Sequence, residues 1–280
     1  MPYLRTEFVM EKGMGLLEQR IDETGFAVVD IETTGLSTKD SRIVEICVAH
    51  LDPSGETHVV LETLVDPEGP VHATEIHGIT DEDVKGAPTF GEVLPAIEAA
   101  LSGRVFVAHN VYFDYSFIRS QFEELGKPLD IPHLCTMYFG PLLGVMERCR
   151  LGNACRSLGI VHEHWQAHTA RDDTVAAACL LQHYVNRCRD DGIFTFSELA
   201  SRRSYKFLQS LNKSPLVLAQ GGAISNTKLK PRRDDRKSTQ PSSSPSMGSP
   251  GIGTPAAANG TQMPILEASA SAIGCGNKKQ

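Results

Sequence analysis

Phe26-Ala27-Val28-Val29-Asp30-Ile31-Glu32-Thr33-Thr34-Gly35 is an apolar run that ends in two carboxylates and a glycine turn. Side chains alternate along a strand, so Asp30 and Glu32 point to the same side, two residues apart. Like charges held that close repel, and their burial is costly. A cation between them is the simplest compensation. All-oxygen ligation without a neighbouring cysteine favours magnesium or manganese over zinc. Taken alone, the same pattern also describes the polar end of an ordinary strand, so the rest of the chain has to decide.

Two further β-like runs follow, Ile43–Leu51 and Thr57–Val65, separated by Asp52-Pro53-Ser54-Gly55, a hairpin turn by composition. Together with the first strand they predict an antiparallel meander. Thr89 is the expected N-cap of a helix over about 90–101, and Arg104–Ala108 reads as a short buried strand. Helices are expected from about 113 to 125 and from about 170 to 189, closed near Gly126 and Gly192. Strands followed by strand and helix alternation give an α/β fold, a mixed sheet flanked by helices. Thr195-Phe196-Ser197-Glu198 has capping-box spacing, and Phe196, Leu199, Phe207, Leu208 and Leu211 can share the amphipathic face of a closing helix.

Charge is unevenly distributed. Residues 1–201 carry 15 Lys+Arg against 31 Asp+Glu, and residues 202–280 carry 12 against 3. An acidic body repels nucleic acid unless metal ions and local basic groups offset it, whereas a basic tail can tether a polyanion. Beyond residue 220 the chain becomes rich in Ser, Pro, Gly and Ala, too poor in large apolar side chains to offset the entropy of ordering. The expected organisation is an N-terminal extension over 1–23, an α/β domain over 24–190, a helical extension over 191–220 and a disordered basic tail over 221–280. Seven scattered cysteines without a Cys-x-x-Cys pair read as reduced thiols. No signal peptide and no run of roughly 18 apolar residues is present, so the expected location is cytoplasmic, with no membrane contact.

Two later segments repeat the pattern of an acid heading an apolar element. In His109-Asn110-Val111-Tyr112-Phe113-Asp114, helical spacing from Asp114 gives Phe117, Ile118, Gln121, Phe122 and Leu125. In His168-Thr169-Ala170-Arg171-Asp172-Asp173, spacing from Asp173 gives Ala176, Ala177, Leu180, Leu181 and Tyr184. Asp172 also leads to apolar positions, and spacing alone leaves the two acids ambiguous. Ala176, Ala177 and Ala178 would let this helix approach the sheet closely. Four acids from three distant segments suit a two-cation site for phosphoryl transfer, with His168 placed to take a proton from an attacking water.

In this order, Asp30-Ile-Glu-Thr-Thr-Gly, His109-Asn-x-x-Phe-Asp114 and His168-x-Ala-x-x-Asp173 resemble the three motifs of the DEDDh exonucleases, the family of the epsilon proofreading subunit of bacterial DNA polymerase III. The resemblance implies a ribonuclease H-like fold and two Mg2+ or Mn2+ ions. It also implies 3′-to-5′ release of nucleoside 5′-monophosphates from a nucleic acid with a free 3′ end, DNA or RNA. Asp30, Glu32, Asp114 and Asp173 would be the metal ligands and His168 the general base. The five-residue spacing from the histidine selects Asp173 over Asp172. Ile76-His77-Gly78-Ile79-Thr80 resembles a segment that contacts the terminal nucleotide, which makes His77 a substrate-binding candidate. Thr33, Thr34 and Gly35 would seat the 3′ end, with Phe113 or Leu36 offering an apolar face to a base. A DNA polymerase or replication complex is the partner the resemblance suggests. The rival readings are an RNA-trimming enzyme, a non-catalytic nucleic-acid-binding or polymerase-tethering module, and a zinc site at His162-x-His164-x-x-x-His168.

Overall fold

A computed structural model describes residues 15–160, 168–218 and 229–232. Its centre is a five-stranded sheet of β1 (Phe26–Thr33), β2 (Ile43–Leu51), β3 (Thr57–Leu64), β4 (Val105–Ala108) and β5 (His133–Cys135), in the order β3-β2-β1-β4-β5. β1, β2 and β3 are antiparallel, while β4 and β5 run parallel to β1. This is the mixed sheet expected from the sequence. Eight helices accompany it among the described residues: α1 (Thr74–His77), α2 (Asp81–Val84), α3 (Phe90–Leu101), α4 (Val111–Glu124), α5 (Thr136–Leu143), α6 (Leu151–Ser157), α7 (Ala170–Asp190) and α8 (Phe196–Arg202).

β1 lies in the middle of the sheet, and Phe26 to Val29 are buried on both faces. A strand covered on both sides reads as a continuous apolar run, which is why alternation is visible only at its polar end. α3 begins where expected: Thr89 N–H donates to Glu92 Oε2 at 2.8 Å, and Glu92 N–H donates back to Thr89 Oγ1 at 3.4 Å.

α7 is held to the sheet at its first residue and again past its middle. Its first N–H, from Ala170, donates to Glu45 Oε2 on β2 at 3.1 Å, and Gln182 Nε2 donates to the carbonyl of Gly55 in the β2–β3 turn at 2.7 Å. Between these points Ala176, Ala177 and Ala178 are buried, and Thr174 Oγ1 donates to the Cys47 carbonyl on β2 at 3.4 Å. The alanines thus permit the close approach that their size predicts.

The closing segment differs in form from the single helix expected. After α8, Arg203 adopts an extended conformation, and a 3-10 helix over Lys206–Asn212 follows. All five apolar residues of the expected face are buried nonetheless. The described part of the N-terminal extension holds a 3-10 turn at Leu16–Glu18. Cys47, Cys135, Cys149, Cys155 and Cys188 are free, whereas Cys179 is disulfide-bonded, unlike the reduced thiol expected there. No helix among the described residues is long and apolar enough to cross a membrane.

Four residues within the stretch expected to be disordered are described and docked. Lys230 pairs with the outer strand β3: its N–H donates to Thr63 Oγ1 at 2.9 Å, and its carbonyl accepts from Leu64 N–H at 2.8 Å. Lys230 Nζ also donates to the carbonyls of Asp83 and Lys85, each at 2.6 Å. Backbone pairing with an open sheet edge and charge at two carbonyls supply what the apolar count lacks. His162 and His164, of the alternative zinc site, lie outside the described residues.

Candidate active site

The parallel pairing of β1 with β4 runs from Phe26↔Val105 to Val28↔Val107 and stops there. Beyond it, the Asp114 carboxylate lies near the N–H of Ile31, which favours its ionised form. Asp114 sits in the first turn of α4, directly after β4, and is only 5% exposed. Because β1 and β4 point the same way, the carboxyl ends of both strands and the amino end of α4 meet at one end of the sheet. Ligand sites of parallel sheets occur at such ends.

α7 brings the remaining groups to the same place. Thr169 caps it, accepting from Asp172 N–H at 3.3 Å, and His168 N–H donates to Asp173 Oδ2 at 3.0 Å. His168 is exposed and has a left-handed backbone, φ 68°. That conformation is uncommon for a residue with a Cβ and is found where surrounding contacts enforce it. Glu32, His168 and Asp173 each offer a ligand atom within 4.8 Å of the others.

Electrostatics ties Asp30 and Asp114 to this group. Burial, and then the charges of Asp114, Asp173, Glu32 and Glu45, push the Asp30 carboxyl well above its ordinary value. Glu32 is pushed up to about 8 by burial and then by Glu45 and Asp173, with Arg232 opposing. Burial raises Asp114 to about 7, against hydrogen bonds from its own N–H and that of Ile31, and Asp173 raises it further. Several carboxylates that resist ionising side by side form a site short of positive charge. Oxygen donors with one imidazole fit hard divalent cations such as Mg2+ or Mn2+.

His109, which opens the second motif, is structural. Its Nδ1 lies 3.0 Å from Thr136 Oγ1 and its Nε2 3.0 Å from the Cys149 carbonyl, and burial lowers its pKa to about 4. A neutral imidazole there ties the β4–α4 turn to α5 and to the chain at Cys149.

The substrate candidates fare unevenly. Thr33 Oγ1 donates to the Gly35 carbonyl at 2.7 Å, and Thr34 exchanges bonds with Arg42 through its N–H and Oγ1. The Thr33 hydroxyl as donor and the Thr34 hydroxyl as acceptor thus shape the turn. A Cβ at Gly35 would lie 2.7 Å from Ser41 Oγ, which would have to rotate away. Leu36 is 86% exposed, while Phe113 is half-buried against Phe117. His77 is 2% exposed, with Nε2 3.1 Å from the His72 carbonyl and Nδ1 accepting from Ile79 N–H at 3.0 Å. Its ring orders its own loop.

Two residues at the site escaped the sequence reading. Glu45 faces Glu32 across the β1–β2 pair, is 1% exposed and caps α7. An acid inside Ile43-Val44-Glu45-Ile46 was the available signal. Arg232 donates to Glu45 Oε2 at 3.4 Å and to the His77 carbonyl at 2.6 Å. Nothing local in a Ser/Pro-rich tail marks it.

The RNase_T family, described as "Exonuclease", matches residues 27–181. "DNA polymerase III PolC-type" of Clostridium perfringens is 34% identical over 177 residues, 62% of this chain and 12% of that protein. "DNA polymerase III subunit epsilon-like protein" of Rhodobacter capsulatus is 33% identical over 207 residues, 70% of this chain and 29% of its length. The chain therefore spans under a third of these two relatives. Among solved structures, E. coli Exonuclease I in complex with a dT13 oligonucleotide aligns with a TM-score of 0.50 at 17% identity, over 60% of this chain and 42% of that one. That likeness is one of fold. The family match covers more than half of the sequence and spans Asp30, Glu32, Asp114, His168 and Asp173, the acids and histidine gathered at the end of β1, and on this ground the chain belongs to the exonuclease family.

Proposed function

We propose that the chain is a 3′-to-5′ exonuclease that hydrolyses DNA, or RNA, from a free 3′ end and releases nucleoside 5′-monophosphates. The observation that carries this reading is the convergence of Asp30, Glu32, Asp114 and Asp173 at one sheet end with His168 beside them. Asp30, Glu32, Asp114 and Asp173 would hold two divalent ions, Mg2+ or Mn2+. Bound there, such ions supply a lowered pKa for water and compensation for charge on phosphorus and on the leaving oxygen.

The other roles belong to the chain itself. His168 accepts the proton of the attacking water at a ring nitrogen, while its backbone N–H is held by Asp173. The rigid Thr33–Gly35 turn sets the wall of the 3′ pocket, and exposed Leu36 offers an apolar face to the terminal base. His77 shapes the neighbouring loop rather than donating to a nucleotide. A DNA polymerase is the partner that the names of the two relatives support.

The test is digestion of matched DNA and RNA oligonucleotides, single-stranded and 3′-mismatched, with magnesium and then manganese. Digestion from the 3′ end is expected for the wild type, and its loss in folded Asp30→Asn and Asp173→Asn variants. Magnesium-dependent digestion by either variant would sink the assignment.

A further inference from the structure

The carboxyl end of the sheet continues past the carboxylates as a row of aromatic side chains. Tyr112 lies in the first turn of α4, after β4, and Tyr138 in the first turn of α5, after β5. β1, β4 and β5 are consecutive parallel neighbours, so the carboxylates, Tyr112 and Tyr138 succeed one another along the same sheet end. Two strand spacings separate β1 from β5, roughly 10 Å. Tyr205 extends the row. Ring centroids are 6.2 Å apart from Tyr112 to Tyr138 and 5.0 Å from Tyr138 to Tyr205.

The row is fixed from beneath and charged from above. Phe207, 2% exposed, stacks on Tyr205 at 5.8 Å, and its N–H donates to the Tyr112 hydroxyl at 3.1 Å. Tyr112 itself is 40% exposed. Arg148 lies over the Tyr138 ring at 5.7 Å and donates to its hydroxyl at 3.0 Å, and Arg203 lies over the Tyr205 ring at 5.2 Å. Arg150 and Lys206 are exposed next to them in sequence. In a body whose first 201 residues hold twice as many acids as bases, this basic and aromatic surface stands out by sign and by composition.

We infer that Tyr112, Tyr138, Tyr205, Arg148 and Arg203 form a binding platform for the single strand that leads into the carboxylate site. The inference rests on the exonuclease reading for the position of the 3′ end. An aromatic face accepts any base once the exposed guanidinium over it turns to the phosphate beside that base, the combination that binds single strands without regard to sequence. Neighbouring rings are tilted to one another by 75° and 53°, so bases laid on them are splayed apart rather than stacked on each other, as in an extended strand. Arg203 and Tyr205 fall outside residues 27–181, so the segment beyond the family match completes the platform.

The test uses the full chain and Tyr205→Leu, Arg203→Gln and the double variant, each first shown to melt as the wild type does. Binding of a labelled oligothymidylate of about ten nucleotides is read by fluorescence anisotropy in EDTA, where no digestion intervenes. Kd in the double variant is expected to rise about 5- to 100-fold, the loss of one stacked base and its phosphate contact. With magnesium, KM for that strand rises with kcat unchanged, while hydrolysis of a dinucleotide, which does not reach the platform, stays as in the wild type. Wild-type affinity in the double variant, or an equal loss on the dinucleotide, overturns the platform. Binding that depends on Tyr205 and Arg203 in a chain that digests nothing supports the platform and overturns the catalytic reading instead.

Discussion

The backbone N–H of His168 is bound to the carboxylate of Asp173, five residues ahead of it, at 3.0 Å. This contact closes the turn before α7 and holds His168 at φ 68°. His168→Ala is expected to lower kcat by about 100- to 10,000-fold, the usual contribution of a general base. His168→Gly should be equally inactive yet melt no lower than the alanine variant, because glycine accepts the left-handed backbone without cost. Steady-state rates and thermal melts of the pair separate the two roles of this position.

Metal-free protein should lose stability as pH rises. Glu32, ordinarily near 4.5, titrates at about 8 in the fold, and Asp114, ordinarily near 3.8, at about 7. Folded protein keeps these protons where unfolded chain has released them, so their contribution is whole below about 4 and is lost as pH passes 7 to 8. His50 and His109, both lowered to about 4, act in the opposite sense and destabilise the fold in acid. Magnesium separates the two, because it binds the ionised carboxylates. The rise in Tm on adding magnesium is expected to be larger at pH 8 than at pH 6, and an equal rise at both would count against these assignments.

Ala178 is fully buried where α7 packs on the sheet. Ala178→Leu forces extra volume into that contact and should cost about 1–3 kcal/mol. For a domain of this size that is a fall in Tm of roughly 2–4 °C per kcal/mol. Activity at a temperature where the variant remains folded should also fall, because α7 carries Asp173. Differential scanning calorimetry with a parallel digestion assay checks both.

Arg232 is the cation beside Glu45, and Glu45 is 1% exposed. Arg232→Ala leaves that buried carboxylate without its ion pair and should destabilise the protein by about 1–3 kcal/mol, with Arg232→Lys losing less. Chemical denaturation of the two variants, read as a shift of the midpoint at constant slope, measures the difference.

Much of this architecture was legible in the sequence because its signals are local. Asp-x-Glu on a strand, Asp114 and Asp173 at the heads of apolar stripes, and the Thr89 and Thr195 caps each declare themselves within a few residues. β5 did not, because three residues carry no period to read. Glu45 lies inside an apolar strand run, and only its pairing with Glu32 and with α7 gives it a task. His77 had a suggestive neighbourhood, but the orientation of a ring depends on carbonyls folded around it. Arg232 is separated by 187 residues from the carboxylate it meets, beyond the reach of any local pattern.

The pairing of Asp30 with Cys47 and of Glu32 with Glu45 imposes a parity rule on the chain. One residue inserted between Phe26 and Asp30 would turn both carboxylates to the side now occupied by Val29 and Ile31, and two inserted residues would return them. Loops other than the Thr33–Gly35 and His168–Asp173 turns are free of that rule. β1 can change length only in even steps, so the history of insertions and deletions in such chains should be written in those loops and not in this strand.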